Sequence, residues 1–272
     1  MEGTASQLWP RELTDPSGRR PAKPRSFGIT MVIDKGLGLG AFDDLTAVAG
    51  DYIDILKIAF GTSPLYPAEL LMRKIRLAKS RGITVMPGGT LLEAAVIRDV
   101  VPAYFRQVLA LGFDGIEVSD GTIELSRRQR DELIRMAAEM GLKVFTECGK
   151  KRQGSRIDAA AFAETAAWDL EAGAQLVTVE ARESGVGVGL FDENGRCRKE
   201  DLEALLQVVP NPRRILWEAP QKEQQAALIR CIGPEVNLGN IAAQDVLALE
   251  TLRRGLRSDT FELCVPRSDY VI

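Results

Sequence analysis

A chain of 272 residues, 45% hydrophobic and 27% charged, can bury a full core as one large α/β domain or as two small ones. Its net charge of -3 supplies no basic field, which argues against nucleic acid as a partner. No apolar run reaches the roughly 18 residues of a membrane span, and the N-terminus lacks a signal peptide's apolar core, so a cytoplasmic protein without a membrane partner is expected.

The composition also restricts the chemistry. There is no histidine, so Ser-His and Cys-His pairs and histidine-ligated metals are absent, and proton transfer falls to Lys, Glu, Asp, Tyr or Cys. Any metal would sit among oxygen ligands, which favours magnesium, manganese or calcium. Four cysteines (Cys148, Cys197, Cys231, Cys264) form no C-x-x-C pair and fit reduced thiols better than a disulfide frame or a zinc site.

Residues 1–26 hold four prolines and several basic residues without sustained periodicity, and read as a loosely ordered N-terminal arm. From residue 27 to the C-terminus a short β-branched run, a polar or glycine-rich turn and an amphipathic helix alternate. The first strand is expected over 27–33, ending at Asp34-Lys35-Gly36, with a helix over 42–50. The second spans 53–59, with a helix over 67–81. The third spans 84–86, ends at Pro87-Gly88-Gly89-Thr90 and leads into helical pattern to about residue 111. The fourth spans 115–118 and precedes a helix over 127–140 that Ser126 can cap. The fifth ends in Glu147-Cys148-Gly149-Lys150-Lys151, with a helix over 157–172. The sixth, 176–179, ends at Glu180-Ala181-Arg182-Glu183-Ser184-Gly185 before a glycine-rich loop and a helix over 200–208. The seventh, 215–217, ends at Glu218, with a helix over 221–231. The eighth, 236–238, ends at Gly239-Asn240, with a helix over 242–255.

Eight such units with no linker predict an α/β fold of one domain, a (β/α)8 TIM barrel over 27–272 preceded by the arm. The C-terminal strand ends of such a barrel converge on one mouth. Here they gather Asp34, Lys35, Lys57, Glu117, Glu147, Lys150, Lys151, Glu180, Arg182, Glu218, Asn237 and Asn240. A buried carboxylate is costly unless paired or metal-bound, and each of these could simply satisfy a neighbouring cation. Lys57 lies inside an apolar run, either snorkelling out of the core or meeting an anion. The last turn, with Gly239 flanked by Asn237 and Asn240, and the Pro87-Gly88-Gly89-Thr90 turn could let the backbone approach an anion. The residues point to a magnesium-dependent barrel enzyme acting on a small, multiply anionic, phosphorylated substrate, with lysine moving the proton. They do not choose the reaction.

Ten segments in one order then carry a resemblance: V-I-D-K-G from Val32, G-D-Y-I-D from Gly50, F-G-T-S from Phe60, P-G-G-T from Pro87, S-D-G from Ser119, G-K-K from Gly149, E-A-R-E-S-G from Glu180, E-A-P-Q-K from Glu218, N-L-G-N-I from Asn237 and L-R-R-G-L-R from Leu252. From about residue 27 to 260 the chain resembles the phosphosulfolactate synthase family; Cys148, where an aliphatic residue is expected, is a mild departure. The resemblance implies Mg2+-dependent addition of sulfite to C3 of phosphoenolpyruvate, giving (2R)-phospho-3-sulfolactate, a step toward coenzyme M or sulfolactate. With it, Lys150 is expected as the general acid at C2. Glu147 and Glu180 are expected as first magnesium ligands, with Asp34 and Glu117 behind them. Lys35, Lys57, Lys151 and Arg182 would bind phosphate, carboxylate or sulfite, and Asn237, Gly239 and Asn240 would hold an anion. The family also looks to include plant heat-stress-associated proteins. A non-catalytic stress protein on the same barrel therefore stands as one alternative, and another lyase or aldolase acting on a phosphorylated acid as a second. A homo-oligomer would be usual for a barrel.

Overall fold

The alternation of β-branched runs and amphipathic segments folds as eight parallel strands inside a ring of helices. The computed structural model describes residues 9–150, 154–209 and 211–264. In chain order these are α1 (Arg11–Thr14), β1 (Thr30–Asp34), α2 (Leu39–Ala49), β2 (Ile55–Ile58), α3 (Ala68–Ser80), β3 (Thr84–Pro87), α4 (Gly89–Ile97), α5 (Val101–Leu111), β4 (Gly115–Ser119), α6 (Arg127–Glu139), β5 (Lys143–Cys148), α7 (Ala159–Ala172), β6 (Leu176–Val179), α8 (Lys199–Val208), β7 (Ile215–Glu218), α9 (Lys222–Ile232), β8 (Asn237–Ala242) and α10 (Val246–Arg253). The hydrogen-bonded order is β3-β2-β1-β8-β7-β6-β5-β4. The gap between β3 and β4 is bridged by Asp114, whose carboxylate accepts from Val85 N (2.8 Å) and whose own N–H donates to Val85 O (3.3 Å). This is the nearly closed TIM barrel that the strand count predicts.

Strand side chains alternate between two cores. Leu56, Ile58, Val85, Ile116, Val144, Val177 and Trp217 face the helices in one large cluster. Ile29, Met31, Ile55, Met86, Phe145, Leu176 and Leu216 fill the lower barrel as a separate apolar plug. Lys57 and the glutamates Glu117, Glu147 and Glu218 share the parity of the plug, so they project inward above it.

Two local differences from the sequence expectation matter. The helical pattern after β3 breaks at Asp99 (φ 55°), because Pro102 in the first turn of α5 has no N–H with which to continue α4. Strand β8 runs further than expected, to Ala242, which moves Asn237 to the base of the barrel. There its amide accepts from Ile29 N (3.0 Å) and donates to Ile215 O (2.9 Å) and Arg213 O (2.8 Å), so it is not at the mouth. The capping of α6 is as read: Ser126 and Gln129 form a reciprocal capping box.

Residues of the arm lie across the same base. Arg20 pairs with Glu250 (2.9 Å), Arg25 with Asp54 (2.9 Å), and Lys23 donates to Gly50 O and Arg81 O (2.9 and 3.0 Å).

Asp34 has outward parity. Its carboxylate accepts from Gly36 N and Leu37 N (2.9 and 2.8 Å) and forms a fully buried ion pair with Lys74 of α3. The Lys74 amine also lies over the Phe42 and Tyr66 rings, 5.2 and 4.9 Å from their centroids. Breaking a buried pair leaves one charge stranded, so Lys74→Ala should lower the unfolding free energy by about 3–5 kcal/mol. Urea titration measures this, and a loss under about 1 kcal/mol would show that the pair does not hold α3 to β1.

Candidate active site

Lys57 is the centre of the mouth. Its amine lies 2.9 Å from Glu117 Oε1, 3.1 Å from Glu218 Oε1 and 3.5 Å from Glu147 Oε2, with all four side chains at most 6% exposed. The second oxygens of two of these carboxylates hold backbone. Glu117 Oε2 accepts from Gly89 N (2.8 Å) at the start of α4, and Glu218 Oε2 accepts from Ala181 N (2.9 Å). A helix N-terminus also favours the Glu117 charge. Gly89 cannot carry a side chain, since a Cβ would fall 2.4 Å from Ser119 Oγ. Next to it Ser119 Oγ donates to the buried Glu93 carboxylate, which also accepts from Thr122 N (2.9 Å).

Burial alone would lower the Lys57 pKa, but the carboxylates of Glu117, Glu218 and Glu147 outweigh it and hold the amine well above its ordinary value. For Glu218 burial is the largest influence and raises the pKa. Lys57 opposes it, Glu147 adds to it, and the net direction is upward. One buried amine thus faces four buried carboxylates, Glu180 included. One oxygen from each of Glu147, Glu180 and Glu218 lies within 4.8 Å of the others. An all-oxygen set with negative charge in excess fits a hard divalent cation.

These groups line a cavity of about 130 Å3, together with Gly88, Thr90, Arg182 and Asn240. Glu180 Oε1 accepts from Arg182 N, and Arg182 O accepts from Asn240 Nδ2 (3.4 Å); both Arg182 and Asn240 have positive φ (61° and 55°). Among the described residues the Arg182 guanidinium forms no ion pair and Asn240 Oδ1 has no partner, so both remain available to a ligand.

The other expected residues are placed elsewhere. Gly239 is inside the barrel, where a Cβ would lie 2.7 Å from Met31 Cε, so it relieves crowding in the plug below the mouth. Lys35 is exposed in the turn after β1, and Lys151 lies outside the described residues. Lys150 Nζ donates to Asp120 O and Ile123 O (2.8 and 3.1 Å) and faces a neighbouring cavity of about 250 Å3. Glu180 lines both cavities. Cys148 faces outward toward Arg130, and burial pushes its thiol up to about 12, so it is inert at neutral pH. Sequence reasoning left Glu218 out of the metal set. Its signal was the shared position at a strand end, with Glu147 and Glu180.

Residues 18–259 match the family model for (2R)-phospho-3-sulfolactate synthase (ComA). The chain is 43% identical over 243 residues to the phosphosulfolactate synthase of Methanothermobacter thermautotrophicus, covering 89% of this chain and 94% of that protein. It is 39% identical over 246 residues to the phosphosulfolactate synthase of Bacillus subtilis, covering 90% and 96%. Among solved structures, the YdjI aldolase of Escherichia coli K12 shares the fold at a TM-score of 0.55 and 12% identity, covering 88% of this chain and 89% of that one.

Lys57→Met should leave three inward carboxylates without their amine, and Glu218, already raised by burial and held down by Lys57, should rise further. A carboxylate with a raised folded pKa contributes stability below its unfolded pKa and loses it as pH rises through the folded pKa. The variant should therefore trail the parent by about 3–5 kcal/mol at pH 8 and by less near pH 5. Denaturant midpoints across that range give the answer, and a deficit that grows toward low pH would contradict it.

Proposed function

Because the chain belongs to the phosphosulfolactate synthase family of carbon–sulfur-bond-forming lyases, we propose that it catalyses Mg2+-dependent addition of sulfite to C3 of phosphoenolpyruvate, giving (2R)-phospho-3-sulfolactate. The observation that carries this reading is the buried carboxylate group over Lys57, beside Arg182, which forms no ion pair among the described residues.

The sulfur lone pair of sulfite forms the bond to C3, the π electrons move through C2 onto the substrate carboxylate, and a proton then goes to C2. Glu147, Glu180 and Glu218 would hold the magnesium. Glu218 takes the place expected of Asp34, whose carboxylate is spent on Lys74 outside the barrel. Glu117 is engaged below by Lys57 and the Gly89 N–H. When bound, magnesium supplies positive charge where the carboxylate's negative charge grows, an effect worth several kcal/mol. Arg182 offers a second positive charge and Asn240 an amide, so the repulsion between two anionic reactants is offset by fixed groups.

Among the described residues two amines, Lys57 and Lys150, border the paired cavities. Lys57 is a poor acid, since three carboxylates hold its proton. Lys150 is half-exposed and, among the described residues, held by two carbonyls and the more distant Asp120 and Glu124 carboxylates at 3.7 and 3.3 Å. It is the better proton donor to C2, from the cavity that adjoins the carboxylates across Glu180.

Incubation with phosphoenolpyruvate, sulfite and Mg2+ should yield a sulfonated product by mass spectrometry; none under varied pH and metal would sink the reading. Lys150→Ala should cut turnover by about 10²–10⁴ while phosphoenolpyruvate still binds, and near-normal turnover would remove Lys150 from the role. Glu218→Gln should weaken Mg2+ binding in calorimetry by about tenfold or more, as loss of a ligand charge does. Unchanged affinity would take Glu218 out of the ligand set.

A further inference from the structure

The end of the barrel opposite the mouth carries a second polar cavity, of about 440 Å3, between the arm and the apolar plug. Its ceiling is Ile29, Ile55, Phe145 and Leu176. Four cationic side chains line it: Lys23 and Arg25 from the arm, Lys143 at the start of β5, and Arg214 just before β7. Among the described residues Asp54 is the one carboxylate on the lining, and it is already used, paired with Arg25 (2.9 Å) and accepting from Thr30 N (2.9 Å). Lys23, Lys143 and Arg214 form no ion pair among the described residues.

Two donors in this cavity are poised rather than spent. The Lys143 amine donates to Thr84 Oγ1 (2.7 Å), which leaves the Thr84 hydroxyl hydrogen for another acceptor. Arg214 donates through Nη2 to Ala174 O (3.0 Å), while its Nε is enclosed with no partner among the described residues. An enclosed donor on a charged group is destabilising until an acceptor reaches it. The surroundings are short of negative charge too. Burial first, then Arg25, hold the Lys23 amine below its usual value against the pull of Asp54. The adjacent Arg253, bonded to Pro234 O, Val236 O and Ile29 O, is brought down to about 9 by burial and then by Arg20.

We propose that this basal cavity binds a small, multiply charged oxyanion of the phosphate class, gripped by Lys143, Arg214 and the Thr84 hydroxyl and covered by the arm at Lys23. Planar, forked guanidinium and point-charge ammonium together suit a phosphoryl group. The site is distinct from the carboxylate mouth, whose charge is of the opposite sign, and it does not rest on the reaction assigned there.

The test is calorimetric titration of inorganic pyrophosphate into the metal-free full-length chain. Lys143→Gln/Arg214→Gln should bind about tenfold or more weaker than the parent, as loss of charged hydrogen bonds implies. The charge-conserving Lys143→Arg/Arg214→Lys should retain most of the affinity, and Arg182→Gln at the mouth should leave the basal event in place. Equal affinity in the parent and the Lys143→Gln/Arg214→Gln variant, or loss only with Arg182→Gln, overturns the proposal. Crystals of the unaltered chain grown with tungstate give a readout free of folding effects. An anomalous peak between Lys143 and Arg214 supports the site, and a peak at the mouth alone overturns it.

Discussion

A single ammonium group in a closed barrel organises three strands. Lys57 reaches from β2 to carboxylates on β4, β5 and β7, and no other amine among the described residues bonds to them. Its surroundings leave it no alternative, because the floor beneath is the apolar plug and water is nearly excluded. The glutamates it gathers then organise the mouth in turn. Glu117 fixes the first N–H of α4, Glu218 fixes the chain after β6, and Glu180 fixes the Arg182 backbone at positive φ. Charge balance and loop geometry are therefore the same problem here: Glu117 and Glu218 each spend one oxygen on the ion cluster and the other on the backbone that shapes the mouth.

Much of this can be read in the sequence, because a barrel strand announces its end. An apolar run that closes on Glu117, Glu147, Glu180 or Glu218 has one physical destination when its strand belongs to a barrel, and the four glutamates do converge there. What the sequence could not supply was parity and register. Asp34 sits at the end of β1 like the others, yet one step along a strand turns a side chain to the opposite face, and it meets Lys74 behind the barrel. A strand over 236–238 places Asn237 beside the mouth turn; β8 instead begins at Asn237 and runs past Asn240 to Ala242, so only Asn240 reaches the cavity. Lys150 follows a glycine, so its direction depends on backbone freedom that no periodicity encodes; it turns toward the Asp120 and Ile123 carbonyls. Arg20, Lys23 and Arg25, in the segment that looked loosely ordered for lack of periodicity, make long-range contacts with the base, which a pattern-based reading does not detect.

The two ends of the barrel are electrically unlike. Above the plug, carboxylates outnumber cations; below it, Lys23, Arg25, Lys143 and Arg214 share one aspartate. The plug between them is a low-dielectric spacer a few side chains thick, through which these opposite excesses attract one another. Any charged ligand at the mouth therefore meets a field set by the whole barrel as well as by the residues it touches.

The join between β3 and β4 is the one neighbouring strand pair that lacks a backbone ladder, and Asp114 bridges it with a side chain. A sheet closed in this way has a built-in place to be cut. New chain ends introduced beside Gly112, just before that join, would sever no strand pairing, and the ladder from β4 round through β8 and β1 to β3 would remain continuous. Lys57 of β2 and Glu117 of β4 bond each other across the same join, so an ion pair supplements the ladder that is missing there. In evolutionary terms, the join is the hinge of the architecture: the position where the chain could be rearranged while its chemistry stays intact.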